Sequence, residues 1–212
     1  MVNMHSPVDD RTARARIRDE ALRLFADEGA DTVSLRAVAA AAGVSPALVV
    51  RHYGSKEGLR EAVDHHVART FETMLTQVSD RGGDGPFDTA SLPTLTDLLA
   101  AHLPADSPVP AYLGRMLLDG GPAGSALFRR LHEVSREALA RLVETGAADA
   151  GSDPDVRAAV LLVNDLAVLL LRGRLQEVLS VDPLSPAGLR RWGTELLPIY
   201  DHGLRDPTRR RT

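Results

Sequence analysis

The sequence has no cysteine, a single lysine and a single tryptophan, and aromatic residues make up only 4% of it. Without cysteine there are no disulfides, thiolate zinc sites, iron–sulfur clusters or cysteine nucleophiles. Long apolar runs are also missing. The longest nearly apolar stretch, Ala158 to Leu171, covers 14 residues and is interrupted by Asn164 and Asp165, whereas crossing a bilayer takes roughly 18 to 20. No apolar segment follows the first residues, where Asp9 and Asp10 stand, so no secretory signal is read and a cytoplasmic location is expected. Phosphate-cradling glycine loops and a nucleophile elbow are absent as well, and His132-Glu133 lacks the second histidine of a zinc-protease helix. Adjacent His65 and His66 would point about 100° apart on a helix. Glu61 with His65 gives two potential metal ligands without a third. No catalytic residue, metal or cofactor is therefore expected.

What is present is the composition of a soluble globular chain. Its 212 residues are 44% apolar and 25% charged, with a net charge of −4. The charge is unevenly spread. Between residues 11 and 60, nine basic side chains face six acidic ones, so a segment of +3 precedes an acidic remainder. A basic N-terminal piece on an acidic body suits a nucleic-acid reader, because neutralising phosphates supplies much of its affinity.

Apolar residues recur at helical spacing nearly everywhere, and no stretch alternates with period two, so the fold is read as all-α. Ile17, Ala21, Leu24 and Phe25 predict a helix from about residue 10 to Gly29. Ser34 caps a short helix with Leu35, Val38, Ala39 and Ala42 on one stripe, ended by Gly43. Ser45 followed by Pro46 starts a third helix of about two turns before Gly54. Leu59, Val63, Val67, Phe71, Met74 and Val78 line a long fourth helix, which the glycine-rich stretch 81–86 should end. Further helices are expected to open at Pro93, Pro108 or Pro110, Pro122, Pro154 and Pro186. The helix after Pro154 is apolar on every side and must be covered all round, by its own domain or by a second subunit. In the last helix Pro198 should kink or shorten the chain.

The second and third helices meet the requirements of a helix-turn-helix. Ala39 is small where they approach, Gly43 can take φ > 0, Val44 plugs the turn, and Val49 anchors the second helix. Val49 and Tyr53 then point inward. Ala47, Val50 and Arg51 point outward, with Leu48 and His52 on the flanks. Apolar groups on that face can meet thymine methyls and Arg51 can pair with guanine.

Leu35-Arg36-Ala37-Val38-Ala39, Ala42-Gly43-Val44-Ser45 and His52-Tyr53-Gly54-Ser55-Lys56-Glu57-Gly58-Leu59 resemble the N-terminal domain of TetR/AcrR-family transcriptional regulators. The resemblance covers roughly residues 11 to 60. It implies a helix-turn-helix domain at 10–56 and a helical effector-binding and dimerisation domain at 57–205, with flexible tails at 1–9 and 206–212. By the same resemblance Lys56, the sole lysine, is the phosphate-binding residue after the recognition helix. Ser34 and Arg36 match contact positions of the preceding helix. Pro46, Ala47, Leu48, Val50 and His52 fall where the recognition helix touches DNA, and Ser45 and Tyr53 bound that set. Leu48 and Val50 depart from the family's common threonine and tyrosine and cannot donate hydrogen bonds, which shifts the expected readout towards methyl contacts and Arg51.

The family likeness also implies a homodimer acting on double-stranded operator DNA, built from the last long helices, with Val160, Val163, Ala167, Leu170, Leu189, Trp192, Leu196 and Tyr200 as seam residues. It implies a pocket for a small-molecule effector, for which Phe71, Met74, Tyr112, Met116, Leu127, Leu131 and Leu166 are candidates, with Asn164 and Asp165 as polar contacts. So few aromatic residues favour an aliphatic effector. The expected function is a repressor released from a palindrome. An activator of the same fold, or a helical ligand-binding or scaffold protein with a vestigial helix-turn-helix, is the alternative.

Overall fold

The computed structural model describes residues 7–80, 102–104, 106–144, 146 and 148–202. Among these residues all regular structure is helical. The helices are α1 (Pro7–Glu28), α2 (Leu35–Ala41), α3 (Pro46–Tyr53), α4 (Lys56–Asp80), α5 (Val109–Leu118), α6 (Pro122–Glu144), α7 (Pro154–Leu170), α8 (Arg172–Leu179) and α9 (Pro186–His202). The chain divides into two compact units, one comprising the described residues up to Glu72 with Asp106–Phe128, the other the described residues of 73–104 with those from Arg129 onward. The expected helix at Pro93 and the stretch 81–86 lie outside the described residues.

In the first unit, α1 turns Ala13, Ile17, Ala21, Leu22, Phe25 and Ala26 inward, all buried. Gly29 ends it at φ 88°, a left-handed conformation that glycine adopts without a Cβ penalty. The carbonyls left over at that terminus are satisfied from outside the helix. The Thr32 hydroxyl donates to the Glu28 carbonyl at 2.6 Å and to that of Gly29 at 2.9 Å. Arg115 of α5 donates to the Ala26 and Asp27 carbonyls at 2.9 and 3.1 Å, placing a cation at the negative end of the helix dipole. Phe25 and Tyr112 stack with ring centroids 6.4 Å apart. Arg115 and these rings join α5 to α1, so α5 belongs with the helix-turn-helix although about 50 residues of sequence separate them. The passage from α5 to α6 is close, because a Cβ at Gly124 would overlap the Met116 carbonyl oxygen.

In the second unit, Asp153 caps α7 by accepting the Asp155 and Val156 N–H groups at 3.1 Å, and α6 is fastened to α7 by Ser135 donating to the Ala158 carbonyl at 2.8 Å. Helix α8 was not foreseen from the proline pattern, since the apolar run reads straight through its start. The chain turns at Leu171 (φ −98°, ψ 14°) and Arg172 opens the new helix. Arg172 grips Asp182 through two hydrogen bonds of 2.9 and 2.7 Å. The guanidinium holds the Asp182 carboxyl below the usual carboxylate range. The same arginine donates to the Leu103 and Pro104 carbonyls at 3.3 Å. In α9 the helix continues to His202, so Pro198 does not shorten it.

Candidate nucleic-acid interface

Local backbone chemistry sets the helix-turn-helix. The Ser34 side chain accepts the Ala37 N–H at 3.1 Å and that of Ser45 accepts the Leu48 N–H at 3.3 Å, each cap being worth about 1 kcal/mol. Between them Gly43 sits at φ 64° with open space where a Cβ would stand, so its role is conformational. The Val44 N–H returns to the Ala39 carbonyl at 2.9 Å. Ala39 and Val49 are buried and Val44 half-buried. These residues hold α3 as a plug, with its other face outward.

The outward face carries Ala47, Val50 and Arg51, all exposed, and Val50 keeps 47% of its surface open. Leu48 and His52 are half-buried on the flanks, while Ser34, Arg36, Ser45 and Pro46 are exposed around the turn. No acidic side chain occurs between Asp31 and Glu57. Helices α2 and α3 and the turn between them therefore carry Arg36 and Arg51 and no carboxylate of their own.

Tyr53 and Lys56 do more than their sequence positions indicate. The half-buried Tyr53 donates its hydroxyl to the Arg14 carbonyl at 2.7 Å, and the Arg14 guanidinium lies over its ring, 5.4 Å from the centroid. Burial pushes the Tyr53 phenol above its ordinary range. Tyr53 thus ties the last turn of α3 to α1 and positions the helix. Arg14 escaped sequence reasoning; its one signal was that an inward tyrosine needs a partner for its hydroxyl. Lys56 stands at the first position of α4 and donates its Nζ to the Asp31 carbonyl at 2.7 Å. The glycines around it have distinct tasks. Gly54 takes φ 75°, and Gly58 allows α4 to pass the Tyr53 carbonyl, which a Cβ would overlap.

Behind the reader, α5 is bonded to α4. The Tyr112 hydroxyl donates to Asp64 at 2.6 Å, and burial raises the Asp64 carboxyl above its ordinary range while this hydrogen bond opposes the shift. Arg60 pairs with Asp119 at 3.0 Å and with Asp31 at 3.9 Å; with Asp119 half open to water, that pairing is worth about 1 kcal/mol at most. A cleft of about 240 Å³ lies here, lined among others by Asp31, Arg60, Tyr112, Arg115, Met116 and Asp119. Of the expected effector-pocket residues, Tyr112 and Met116 line this cleft. Phe71 and Leu127 are buried in the same unit without lining it, and Met74, Leu131, Asn164, Asp165 and Leu166 belong to the second unit.

Helix α7 has two unlike faces. Val156, Val160 and Val163 are 58%, 60% and 55% exposed along one side, continued by half-buried Ala167 and Leu170. At 100° per residue, Asp165 falls on the opposite side, among buried Ala158, Leu162, Val168 and Leu169. Asp165 nevertheless keeps open surface, although the protein around it raises its carboxyl to about 6 by desolvation. A hydrogen bond from the Asn164 amide opposes that shift by favouring the carboxylate form. On α9, Leu189, Trp192 and Leu196 are half-buried and Ile199 is 41% exposed; the Tyr200 side chain lies outside the described residues.

Comparison with known proteins places these features in a family. Residues 17–63 match the model of the bacterial regulatory proteins of the tetR family, and residues 105–205 that of the tetracyclin repressor-like C-terminal domain. The HTH-type transcriptional regulatory protein RaaS of Mycobacterium tuberculosis is 35% identical over 200 residues, which cover 92% of this chain and 88% of RaaS. Among solved structures, a gamma-butyrolactone receptor (ArpA-like protein) superposes with a TM-score of 0.62 at 26% identity, over 77% of this chain and 81% of that one. The fatty acid degradation regulator FadR from Bacillus halodurans, at 15% identity, shares the fold with a TM-score of 0.65 over 96% and 99% of the two chains. A reader helix held clear of its own core, on a helical body matched over nearly its whole length by a regulator, identifies the chain as a member of the TetR family of transcriptional regulators.

Proposed function

We propose that the protein is a homodimeric repressor that leaves a palindromic operator when a small molecule binds its second unit. The observation that carries the DNA step is the outward face of α3, where Ala47, Val50 and Arg51 stand open with no acidic side chain nearby in sequence. Such a face suits a major groove, with methyl contacts from Ala47 and Val50 and a guanine contact from Arg51. Ser34, Arg36 and Lys56 then serve as phosphate contacts, with Lys56 aided by the positive end of α4.

A two-turn helix reads only a few base pairs, so operator selectivity needs two copies one helical turn apart. The exposed valines of α7 supply the surface for pairing, joined by Ala167, Leu170 and the α9 residues Leu189, Trp192 and Leu196. Release requires only that the effector prefer the spacing that misses successive grooves. A preference of about 1 to 3 kcal/mol changes operator affinity by roughly five- to 150-fold. The similarity to a gamma-butyrolactone receptor supports a small-molecule effector. Selection of bound duplexes from a random pool by the purified protein should recover an inverted repeat. Recovery of unrelated sequences, or of single half-sites by a monomer, would refute this reading.

A further inference from the structure

We propose that Arg14 and Arg11 form a second phosphate-binding element on α1, outside the helix-turn-helix, that grips the DNA backbone beside α3. The inference rests on the DNA reading proposed above and enlarges the surface that meets the duplex. From residue 11 to residue 18 the chain carries four arginines and no carboxylate. At 100° per residue, Arg11 and Arg14 stand about 60° apart on α1, and Arg14 falls within about 20° of the line through Ala21 and Phe25. Those two are buried, whereas Arg14 and Arg11 are exposed. The side of α1 that packs into the core in its later turns is therefore open to water at Arg14. This opening lies at the end of the reader helix. The Arg14 guanidinium is 5.4 Å from the centre of the Tyr53 ring, and Tyr53, the last residue of α3, donates its hydroxyl to the Arg14 carbonyl at 2.7 Å. Among the described residues neither Arg11 nor Arg14 pairs with a carboxylate, in contrast to Arg18 with Asp19 and Arg23 with Glu20 farther along the same helix. No ion pair has to break before either one meets an anion. A guanidinium over an aromatic ring keeps its charge, and one already held in place loses less freedom on binding phosphate. Because Tyr53 bonds α3 to α1 at the same residue, a phosphate held by Arg14 keeps a fixed register with the base-reading face. Phosphate contacts of this kind set position, and the contacts of α3 set sequence.

The test measures the affinity of the full chain for the recovered inverted repeat and for a random duplex of equal length, over about 50 to 200 mM salt. Arg14→Ala and Arg11→Ala should each weaken binding to both duplexes by about three- to tenfold and reduce the salt slope by about one, and the double variant should reduce it by about two. Arg14→Gln, which keeps a long side chain beside Tyr53, should repeat the loss of slope. Arg16→Ala removes the same charge from the other side of α1, about 160° from Arg14, and should leave the slope unchanged. Thermal melting by circular dichroism checks that each variant is folded. An unchanged slope for Arg14→Ala or Arg11→Ala, or an equal loss of slope from Arg16→Ala, would overturn the proposal. A loss confined to the inverted repeat would also overturn it, leaving Arg14 as a support for α3 through Tyr53. Tight, salt-dependent binding by the unaltered chain that none of these variants changes would sink this proposal alone. An unaltered chain that binds neither duplex would sink the DNA reading as well.

Discussion

Helices α3 and α7 both leave valine in water, and the company each valine keeps separates their roles. On α3, Val50 stands beside Arg51, with Ala47 one turn away and capping serines at both helix-turn-helix starts. That mixture of methyl and cation matches the mixture of methyl, acceptor and phosphate in a DNA groove. On α7, Val156, Val160 and Val163 follow one another at helical spacing with half-buried Ala167 and Leu170 beyond them. A continuous apolar ladder matches another apolar ladder. Exposure alone says that a surface lacks its partner; the chemistry between the exposed groups says which partner it lacks.

This contrast breaks most readily at α7. Val160→Glu combined with Val163→Glu should convert the proposed dimer to monomers in sedimentation analysis and lower operator affinity by about a hundredfold or more, since each charge would be desolvated without a partner. If the double variant remains dimeric, the ladder is not the seam. The next largest effect tests the support of α3. Gly58→Ala, forced against the Tyr53 carbonyl, should cost about 1 to 3 kcal/mol of stability, read as a lower denaturation midpoint. An unchanged midpoint would mean that α4 does not need its close passage.

Two arginine and lysine variants sharpen the α3 side. Arg51→Ala should lose about 1 to 3 kcal/mol on the cognate duplex and little on random DNA, relaxing preference at one position. Lys56→Ala should weaken both equally and reduce the salt slope by about one. Identical losses on both duplexes from both variants would remove Arg51 from base readout. The smallest effect belongs to the side of α7 opposite the valines. The folded state holds the Asp165 proton up to a pH of about 6, whereas the unfolded chain releases it near 3.8. Stability contributed by the protonated form is therefore lost as pH rises through that window. Asp165→Asn should raise the melting temperature at pH 7, with the gain vanishing near pH 4. A gain of equal size at both values would assign it to packing.

Local signals in the sequence located the reader well. Ser34, Gly43, Ser45, Pro46 and Gly54 act through their own backbone, so their effects appear at their own positions, and the predicted limits of α2 and α3 agree with the helices found. The motif around Lys56 was visible as a pattern, but the reason for Gly58 was not, because the atom it avoids belongs to another helix. Helix α8 was missed for a related reason. The turn at Leu171 lies in an apolar run with no proline or glycine stop before it, and the Arg172–Asp182 pairing that follows spans ten residues.

By itself the sequence determined that the chain is helical, that a capped helix-turn-helix opens it, and that one later helix has too much apolar surface for an ordinary amphipathic role. These follow from spacing, caps and charge, which are properties of neighbouring residues. Tertiary structure alone decided that α5 closes the end of α1 through Arg115, that Tyr53 fixes the reader through the Arg14 carbonyl, and that α7 exposes a valine ladder on one side while burying Ala158, Leu162, Val168 and Leu169 on the other. Those outcomes depend on which helices meet in space. A side chain's partner and its water are set by packing, and periodicity does not encode them.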